Sequence, residues 1–263
     1  MIKGVCALAA PLLCSLSLAA CFGDRTIPAP RKIVDLSPAI TPDLNIARLG
    51  SRTLEFLGTD GRTLSTPVLP KNPNFAYGMH TVQLLTHTGA HLDAPGRLLR
   101  GGEPPARIDL EDLFGQTSVI DLRWHSRHTP IQITDLELKP IEQGNIVILF
   151  VGYEPPVGDE WPRFAPLSAQ AAEWLVAKKI RALGTDMPAI TRYDDIEARL
   201  ESGQPPADVW AEYLPLFQAR IPIIAGLVNL DAIVRESTVA FVGFPLSLAY
   251  DNGAPMRAAA LVY

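Results

Sequence analysis

The string His87-Thr88-Gly89-Ala90-His91-Leu92-Asp93-Ala94-Pro95 constrains the fold more than any other part of the sequence. Three of its side chains are of types that bind metal ions, and they follow one another at close, regular spacing. His87, His91 and Asp93 occupy odd positions, so an extended backbone would project all three from one face. Gly89 allows a bend between the histidines, and Pro95 prevents a regular strand or helix from continuing. Two imidazoles and one carboxylate leave the open coordination position that a catalytic divalent metal needs. The alternative is a turn in which both histidines hydrogen-bond locally.

The N-terminal segment is expected to be a leader that does not belong to the fold. Lys3 supplies a positive charge, and residues 5–20 form a largely apolar run that is too short for a comfortable membrane span. Leu18-Ala19-Ala20-Cys21 resembles the bacterial lipobox, in which the cysteine becomes the lipidated first residue. We therefore predict a lipoprotein signal peptide at 1–20, a lipid-anchored tether at 21–31 and one domain at 32–263. The protein would be exported and held at the cell envelope through Cys21; an ordinary secretory signal is the alternative.

The positions of the cysteines limit the chemistry of the predicted domain. Cys6, Cys14 and Cys21 all precede residue 32, so the domain contains neither a disulfide nor a thiolate metal site. Any metal must therefore bind nitrogen and oxygen ligands. The net charge of −5 provides no basic surface, so we expect no nucleic-acid partner.

From residue 32 onward, short segments rich in apolar β-branched residues alternate with segments whose apolar residues recur at helical spacing. This pattern is typical of an α/β domain. Strands are predicted at 32–36, 79–85, 118–122, 145–151, 182–184, 221–228, 239–244 and 258–262. Helices are predicted after the capping residue Ser168 and at 208–219, with a short helical turn at 135–138. Residues 58–78 and 153–166, in which proline is frequent, are predicted loops. The sequence has no repeat or internal boundary, so we predict a single domain with a mixed β-sheet.

The histidine string resembles the signature His-x-Gly-Thr-His-x-Asp-x-Pro-x-His of the cyclase family, which includes bacterial kynurenine formamidase and isatin hydrolase. Further ordered matches cover most of the domain, namely Asp35-Leu36-Ser37, Leu167-Ser168, Gly184-Thr185-Asp186, Asn229-Leu230 and Gly253-Ala254-Pro255-Met256-Arg257-Ala258. The resemblance implies a swivelling β/β/α fold and assembly into homodimers or larger oligomers. It also implies a divalent metal, zinc or manganese, that activates water for attack on an amide or lactam. His87, His91 and Asp93 match the family's metal ligands.

Three departures from the family pattern affect the expected chemistry. Ala90 replaces a threonine, and Arg97 replaces the last histidine of the signature. Arginine remains protonated and cannot act as a general base, but it can bind a carboxylate or an oxyanion. The family's second metal position uses a histidine and a glutamate, and Tyr213 and Ala225 stand there. Glu212 is a fallback ligand if the helix is rotated, so one metal ion is expected.

These observations predict a metal-dependent hydrolase that acts on an amide, lactam or ester bond of a small-molecule substrate. Arg97 would orient the substrate or stabilise developing negative charge. Asp186, or the metal-activated water itself, would carry out the proton transfer, although Asp186 could equally cap a loop. The alternative is a ligand-binding lipoprotein on the same scaffold that has lost turnover, which the residues at 97, 213 and 225 favour. Three aromatic residues of the predicted loops form either a wall of the substrate site or packing contacts. They are Tyr77, Trp161 and Phe164.

Overall fold

The structure is a computed structural model that describes residues 28–40, 64–69, 79–137, 139–155, 163–249 and 252–263. For the strands at 64–69 and 79–83, only the backbone is described. The predicted signal peptide, Cys21, Tyr77 and Trp161 lie outside the described residues. Within the described ranges, none of the helices combines the length and apolar character needed to cross a membrane.

Strands dominate the described part of the chain, and the helices are short. The strands are β1 (Lys32–Asp35), β2 (Leu64–Leu69), β3 (Met79–Gln83), β4 (His91–Asp93), β5 (Phe114–Asp121), β6 (Ile146–Phe150), β7 (Ala182–Thr185), β8 (Ile223–Ala225), β9 (Val239–Pro245) and β10 (Gly253–Val262). The α-helices are α1 (Ile133–Leu136), α2 (Ala169–Ala177), α3 (Tyr193–Glu201), α4 (Pro206–Val209) and α5 (Leu214–Gln218). Single 3₁₀ turns lie at Pro95–Arg97, Pro105–Arg107, Leu110–Leu113 and Leu230–Ala232.

Eight of the strands form one mixed sheet in the order β1-β10-β4-β8-β7-β6-β5-β9. Strands β5, β6, β7 and β8 run parallel to one another, whereas β4 is antiparallel to β8 and β9 is antiparallel to β5. The long strand β10 pairs with β4 through its first residues and with both β1 and β9 further along. Because β9 also pairs with β5, the sheet closes on itself as a barrel. The predicted α/β domain with a mixed sheet is confirmed.

The two faces of the parallel strands belong to two different hydrophobic cores. Side chains alternate along a strand, so in β6 Ile146 and Ile148 face the barrel interior, whereas Val147 and Leu149 face the helices. The helical side is completed by α2, which begins at the predicted cap: the Ser168 hydroxyl accepts a hydrogen bond from the amide of Ala171. All four of these strand side chains are fully buried, so the parallel part of the sheet is the rigid frame of the domain.

Outside the histidine string, two sequence predictions about secondary structure were wrong. Residues 58–78 are not one loop, because Leu64–Leu69 forms β2 and pairs with β3 in a separate two-stranded sheet. Pro67 lies at an irregularity in that pairing, where a proline is tolerated. The helix predicted at 208–219 is interrupted between α4 and α5. Pro215 has no amide hydrogen to donate and would clash with the preceding turn, so it is accommodated in the first turn of a new helix.

Candidate metal centre

The three predicted metal ligands converge, but not through the extended backbone that the sequence led us to expect. Only residues 91–93 form a strand, β4, whereas residues 86–90 form turns and bends. Gly89 has a φ of +62°, a left-handed conformation that glycine adopts without strain. His87 therefore returns toward His91 and Asp93 through a turn. The predicted bend at Gly89 is confirmed, and the predicted strand through His87 is wrong.

Strand β4 is buried between two neighbours, which fixes the two ligands that it carries. His91 lies opposite Ala225 of β8 and Pro255 of β10, and Asp93 lies opposite Ile223 and Gly253. A Cβ atom on Gly253 would collide with the carbonyl oxygen of Leu92 and would lie 2.7 Å from Cε1 of His87. The absence of a side chain at Gly253 therefore makes room for the His87 ring.

The ligand atoms face one another over short distances. Nδ1 of His87 lies 2.7 Å from Oδ1 of Asp93, and Nε2 of His91 lies 3.6 Å from the same oxygen. The two imidazole rings are 5.1 Å apart and nearly perpendicular. Nδ1 of His91 lies 2.8 Å from the carbonyl oxygen of Gly89, to which it donates a hydrogen bond. Since Nδ1 then carries the proton, the lone pair of Nε2 is free to bind a metal.

Burial and the neighbouring charges keep the three ligands in the protonation states that a metal requires. Burial lowers the pKa of His91 from 6.5 to about 4, and burial together with the Arg97 charge lowers the pKa of His87. Both imidazoles are therefore neutral at pH 7. Burial alone would raise the pKa of Asp93, but the positive charge of Arg97 and the contact with His87 hold it below its usual range. Asp93 is therefore an anion.

The arrangement fits a divalent cation. Side-chain nitrogen and oxygen atoms of His87, His91 and Asp93 all lie within 4.8 Å of one another, and within the described ranges these residues form the one such cluster. Oδ2 of Asp93 is buried and has no hydrogen-bond partner, which is costly for a carboxylate unless a cation binds it. Two neutral imidazoles and a carboxylate are ligands that both zinc and manganese accept.

Arg97 reaches into this cluster from the 3₁₀ turn that follows β4. Its Nη1 atom donates a hydrogen bond of 2.6 Å to Oδ1 of Asp93 and lies 3.2 Å from Nδ1 of His87. Burial raises the pKa of Tyr193 and the charge of the guanidinium opposes that rise, and the guanidinium lies 5.9 Å from the ring centre of Tyr213. Arg97 is therefore in direct contact with two of the three candidate metal ligands, a contact that its place in the sequence motif did not predict.

The two residues that replace the family's second metal position both lie beside the cluster. Ala225 pairs with His91 across the sheet, and the ring of Tyr213 lies beside Arg97. The buried hydroxyl of Tyr213 accepts a hydrogen bond from the amide of Ile190, so it is used structurally. Glu212 does not serve as a fallback ligand, because both its oxygens bind the guanidinium of Arg199 at 2.7 and 2.9 Å.

Asp186 has the contacts of a loop cap, one of the two roles that the sequence left open. It follows β7, and its carboxylate oxygens accept hydrogen bonds of 3.0 and 2.7 Å from the amides of Val151 and Tyr153. Burial raises the pKa of Asp186 in spite of these hydrogen bonds. The side chain therefore holds the segment after β6 in place and carries Tyr153 with it.

Two further tyrosines were not identified from the sequence. Burial raises the pKa of Tyr193 against the opposing charge of Arg97, and the hydroxyl of Tyr153 is buried without a hydrogen-bond partner. Burial raises the pKa of Tyr153 to about 12, so it remains a neutral donor. Neither residue belongs to a recognisable motif, so no sequence signal marks it. Phe164, a candidate for a substrate wall, is buried and packs its ring against Tyr153, which is the packing role.

Comparison with known proteins identifies a matching family and relatives of similar sequence. A family model described as "Putative cyclase" matches residues 34–192, which include all three ligands. The kynurenine formamidase of Bacillus thuringiensis subsp. konkukian is 28% identical over 173 residues, which cover 65% of this chain and 74% of that protein.

Solved structures share the fold over nearly the whole domain. One, described as a potential metal-dependent hydrolase with cyclase activity, superimposes with a TM-score of 0.65 at 25% identity and covers 87% of this chain and 96% of its own. Isatin hydrolase A from Labrenzia aggregata, bound to benzyl benzoate, superimposes with a TM-score of 0.70 at 21% identity, over 88% and 93% of the two chains. The predicted cyclase-type fold is therefore confirmed.

Proposed function

This chain belongs to the putative cyclase family, and we propose that it is a metal-dependent hydrolase that cleaves an amide, lactam or ester bond of a small molecule. The kynurenine formamidase relatives and the fold shared with isatin hydrolase support this reaction class. The observation that carries the proposal is the convergence of His87, His91 and Asp93 around the unpartnered oxygen of Asp93.

We propose that these three residues hold one zinc or manganese ion. A bound divalent ion supplies Lewis-acid polarisation of the substrate carbonyl and lowers the pKa of water. His91 contributes Nε2, because its Nδ1 is committed to the carbonyl oxygen of Gly89. Asp93 contributes the negative charge, and its second oxygen has no competing partner.

Arg97 supplies the fixed positive charge of the site. One of its N–H groups binds Asp93, and we propose that the remaining donors bind the negative charge that develops on the substrate oxygen during attack. The guanidinium cannot accept the proton of the attacking water. Asp186 is bound to loop amides, so its proposed contribution is to position Tyr153, whose buried hydroxyl is free to donate to the substrate.

Metal analysis of the purified protein, followed by an activity assay, tests this function. The wild-type protein should contain or take up about one equivalent of zinc or manganese, and His91→Ala should lose it. N-formylkynurenine and isatin, with added zinc or manganese, test the formamide and lactam classes. His128→Ala is the matched control, because His128 lies in an exposed turn. A metal-loaded protein that hydrolyses none of a panel of small amides, lactams and esters would support the alternative, a ligand-binding protein on the same scaffold.

We also propose that the protein is exported, lipidated at Cys21 and assembled into homodimers or larger oligomers. The sequence pattern before Cys21 and the family resemblance support these two statements, respectively. Mass spectrometry of the mature N-terminus tests the lipid, and an unmodified Cys21 would contradict it. Light scattering of the purified protein tests the oligomer, and a monomeric mass would contradict that proposal.

A further inference from the structure

Arg97 contacts two of the residues that would hold a metal ion. Its Nη1 atom is 2.6 Å from Oδ1 of Asp93 and 3.2 Å from Nδ1 of His87. Those two atoms are themselves only 2.7 Å apart. His87 can donate its Nδ1 proton to Asp93 or accept a hydrogen bond from Arg97 at that nitrogen, but it cannot do both. The Asp93 carboxylate and the His87 ring therefore border a position that favours a positive charge, and the guanidinium of Arg97 supplies that charge.

The guanidinium is held in this position from its other side as well. It lies over the ring of Tyr213, 5.9 Å from the ring centre, and the hydroxyl of that tyrosine is itself fixed by the amide of Ile190. Only 18% of the Arg97 side chain is exposed, so the surrounding protein, rather than water, screens its charge. Arg97 is thus a built part of the centre and not a surface side chain that happens to reach it.

The charges of the site show what this contact does. Asp93 is fully buried and brings one negative charge, and the two imidazoles are neutral ligands. The permanent charge of Arg97 cancels that of Asp93 before any metal arrives. An incoming divalent cation must share Asp93 with the guanidinium and is repelled by it at short range in a poorly screened site.

We propose that Arg97 is an internal competitor of the metal ion, which keeps Asp93 paired in the metal-free protein and sets the metal affinity of the centre low. The inference rests on the proposed function, because it concerns the metal held by His87, His91 and Asp93. It adds a specific role for Arg97. The bound ion exchanges readily because its affinity is low, and the negative charge of Asp93, which could attract a second ion, is already neutralised by the guanidinium.

Metal titration of Arg97 variants at pH 7.5 tests the proposal. Dissociation constants for Zn²⁺ and Mn²⁺ are measured by competition with a chromophoric chelator, and the melting temperature is recorded with and without metal. Arg97→Gln removes the charge, and the metal should bind at least about tenfold more tightly, because the repulsion is lost. Arg97→Met is a second neutral variant that retains much of the side-chain volume. Arg97→Lys keeps the charge, and its affinity should remain close to that of the wild type.

Arg199→Gln is the matched control, because Arg199 also pairs with a buried carboxylate, Glu212, but far from the ligands in sequence and without contact to them. This variant and the neutral Arg97 variants should both be less stable without metal. Only the Arg97 variants should show tighter binding and a larger rise in melting temperature when metal is added.

The outcomes separate this inference from the proposed function. Wild-type metal binding that is equal to or tighter than that of Arg97→Gln and Arg97→Met would overturn the competitor role and leave the hydrolase proposal standing. If the neutral variants bind metal and the wild type does not, Arg97 competes completely, and the metal-dependent function is wrong. If neither the wild type nor the neutral variants bind metal, both proposals are overturned.

Discussion

Acidification of the metal-free protein should destabilise it through His91. The side chain of His91 is only 4% exposed, and burial lowers its pKa from 6.5 to about 4. In the unfolded chain the ring binds a proton near pH 6.5, whereas in the folded protein it resists protonation until about pH 4. Between these values the unfolded state binds more protons. The free energy of unfolding is therefore unaffected above pH 6.5 and falls as the pH falls through this window.

The size of the effect follows from the two pKa values. The difference between 6.5 and about 4 corresponds to roughly 3 kcal/mol of unfolding free energy lost by pH 4. The pKa of His87 is lowered in the same direction and adds to the loss. Asp93, whose pKa is also lowered, contributes only at more acidic pH, below its ordinary value of 3.8.

Urea denaturation in the presence of a chelator, followed by circular dichroism from pH 7.5 to pH 4.5, measures this loss. His91→Gln cannot be protonated, so its unfolding free energy should decline less steeply than that of the wild type, whatever its stability at pH 7.5. His128→Gln, altered in an exposed turn, should follow the wild-type curve. Parallel curves for His91→Gln and the wild type would refute the assignment of His91 as a buried neutral ligand.

Two substitutions test residues that position the candidate site, namely Gly253 and Asp186. Gly253→Ala would push its new Cβ against the Leu92 carbonyl and the His87 ring, so the metal dissociation constant should rise at least about tenfold in calorimetric titration. Gly203→Ala, where no atom lies within 4 Å of the added carbon, should leave that constant unchanged, and equal constants for all three proteins would contradict the packing argument. Asp186→Asn should lose about 1–3 kcal/mol in urea denaturation, because one of two loop amides loses its acceptor. Full stability together with a lost ionisation in the pH–rate profile would instead make Asp186 the proton carrier.

The convergence of the candidate metal ligands was predictable because these residues lie close together in the sequence. His87, His91 and Asp93 occur within one short string, so their convergence required no knowledge of tertiary structure. The bend at Gly89 was predicted, but the turn that replaces the strand through His87 was not, because the spacing of the three residues does not distinguish the two. The contact of Arg97 with Asp93 depends on the 3₁₀ turn at Pro95–Arg97, which periodicity does not mark.

Features that depend on distant parts of the chain could not be predicted in the same way. Strand β10 meets β4, β1 and β9, and only this closure places Gly253 against His87. The pairing of Glu212 with Arg199 likewise joins the turn between α4 and α5 to α3, and it removes a carboxylate that the sequence left available as a ligand. In both cases the deciding interaction is a tertiary contact without a local sequence signal.

Anomalous diffraction from crystals grown with zinc or manganese tests the proposed metal centre most directly. We predict one anomalous peak, enclosed by His87, His91 and Asp93 and in contact with the oxygen of Asp93 that has no other partner. Data collected on either side of the absorption edge would identify the ion. An Asp93→Ala crystal grown in the same way should lack the peak. A wild-type map without a peak at these residues, or with the ion bound elsewhere, would contradict the metal centre on which the proposed hydrolase depends.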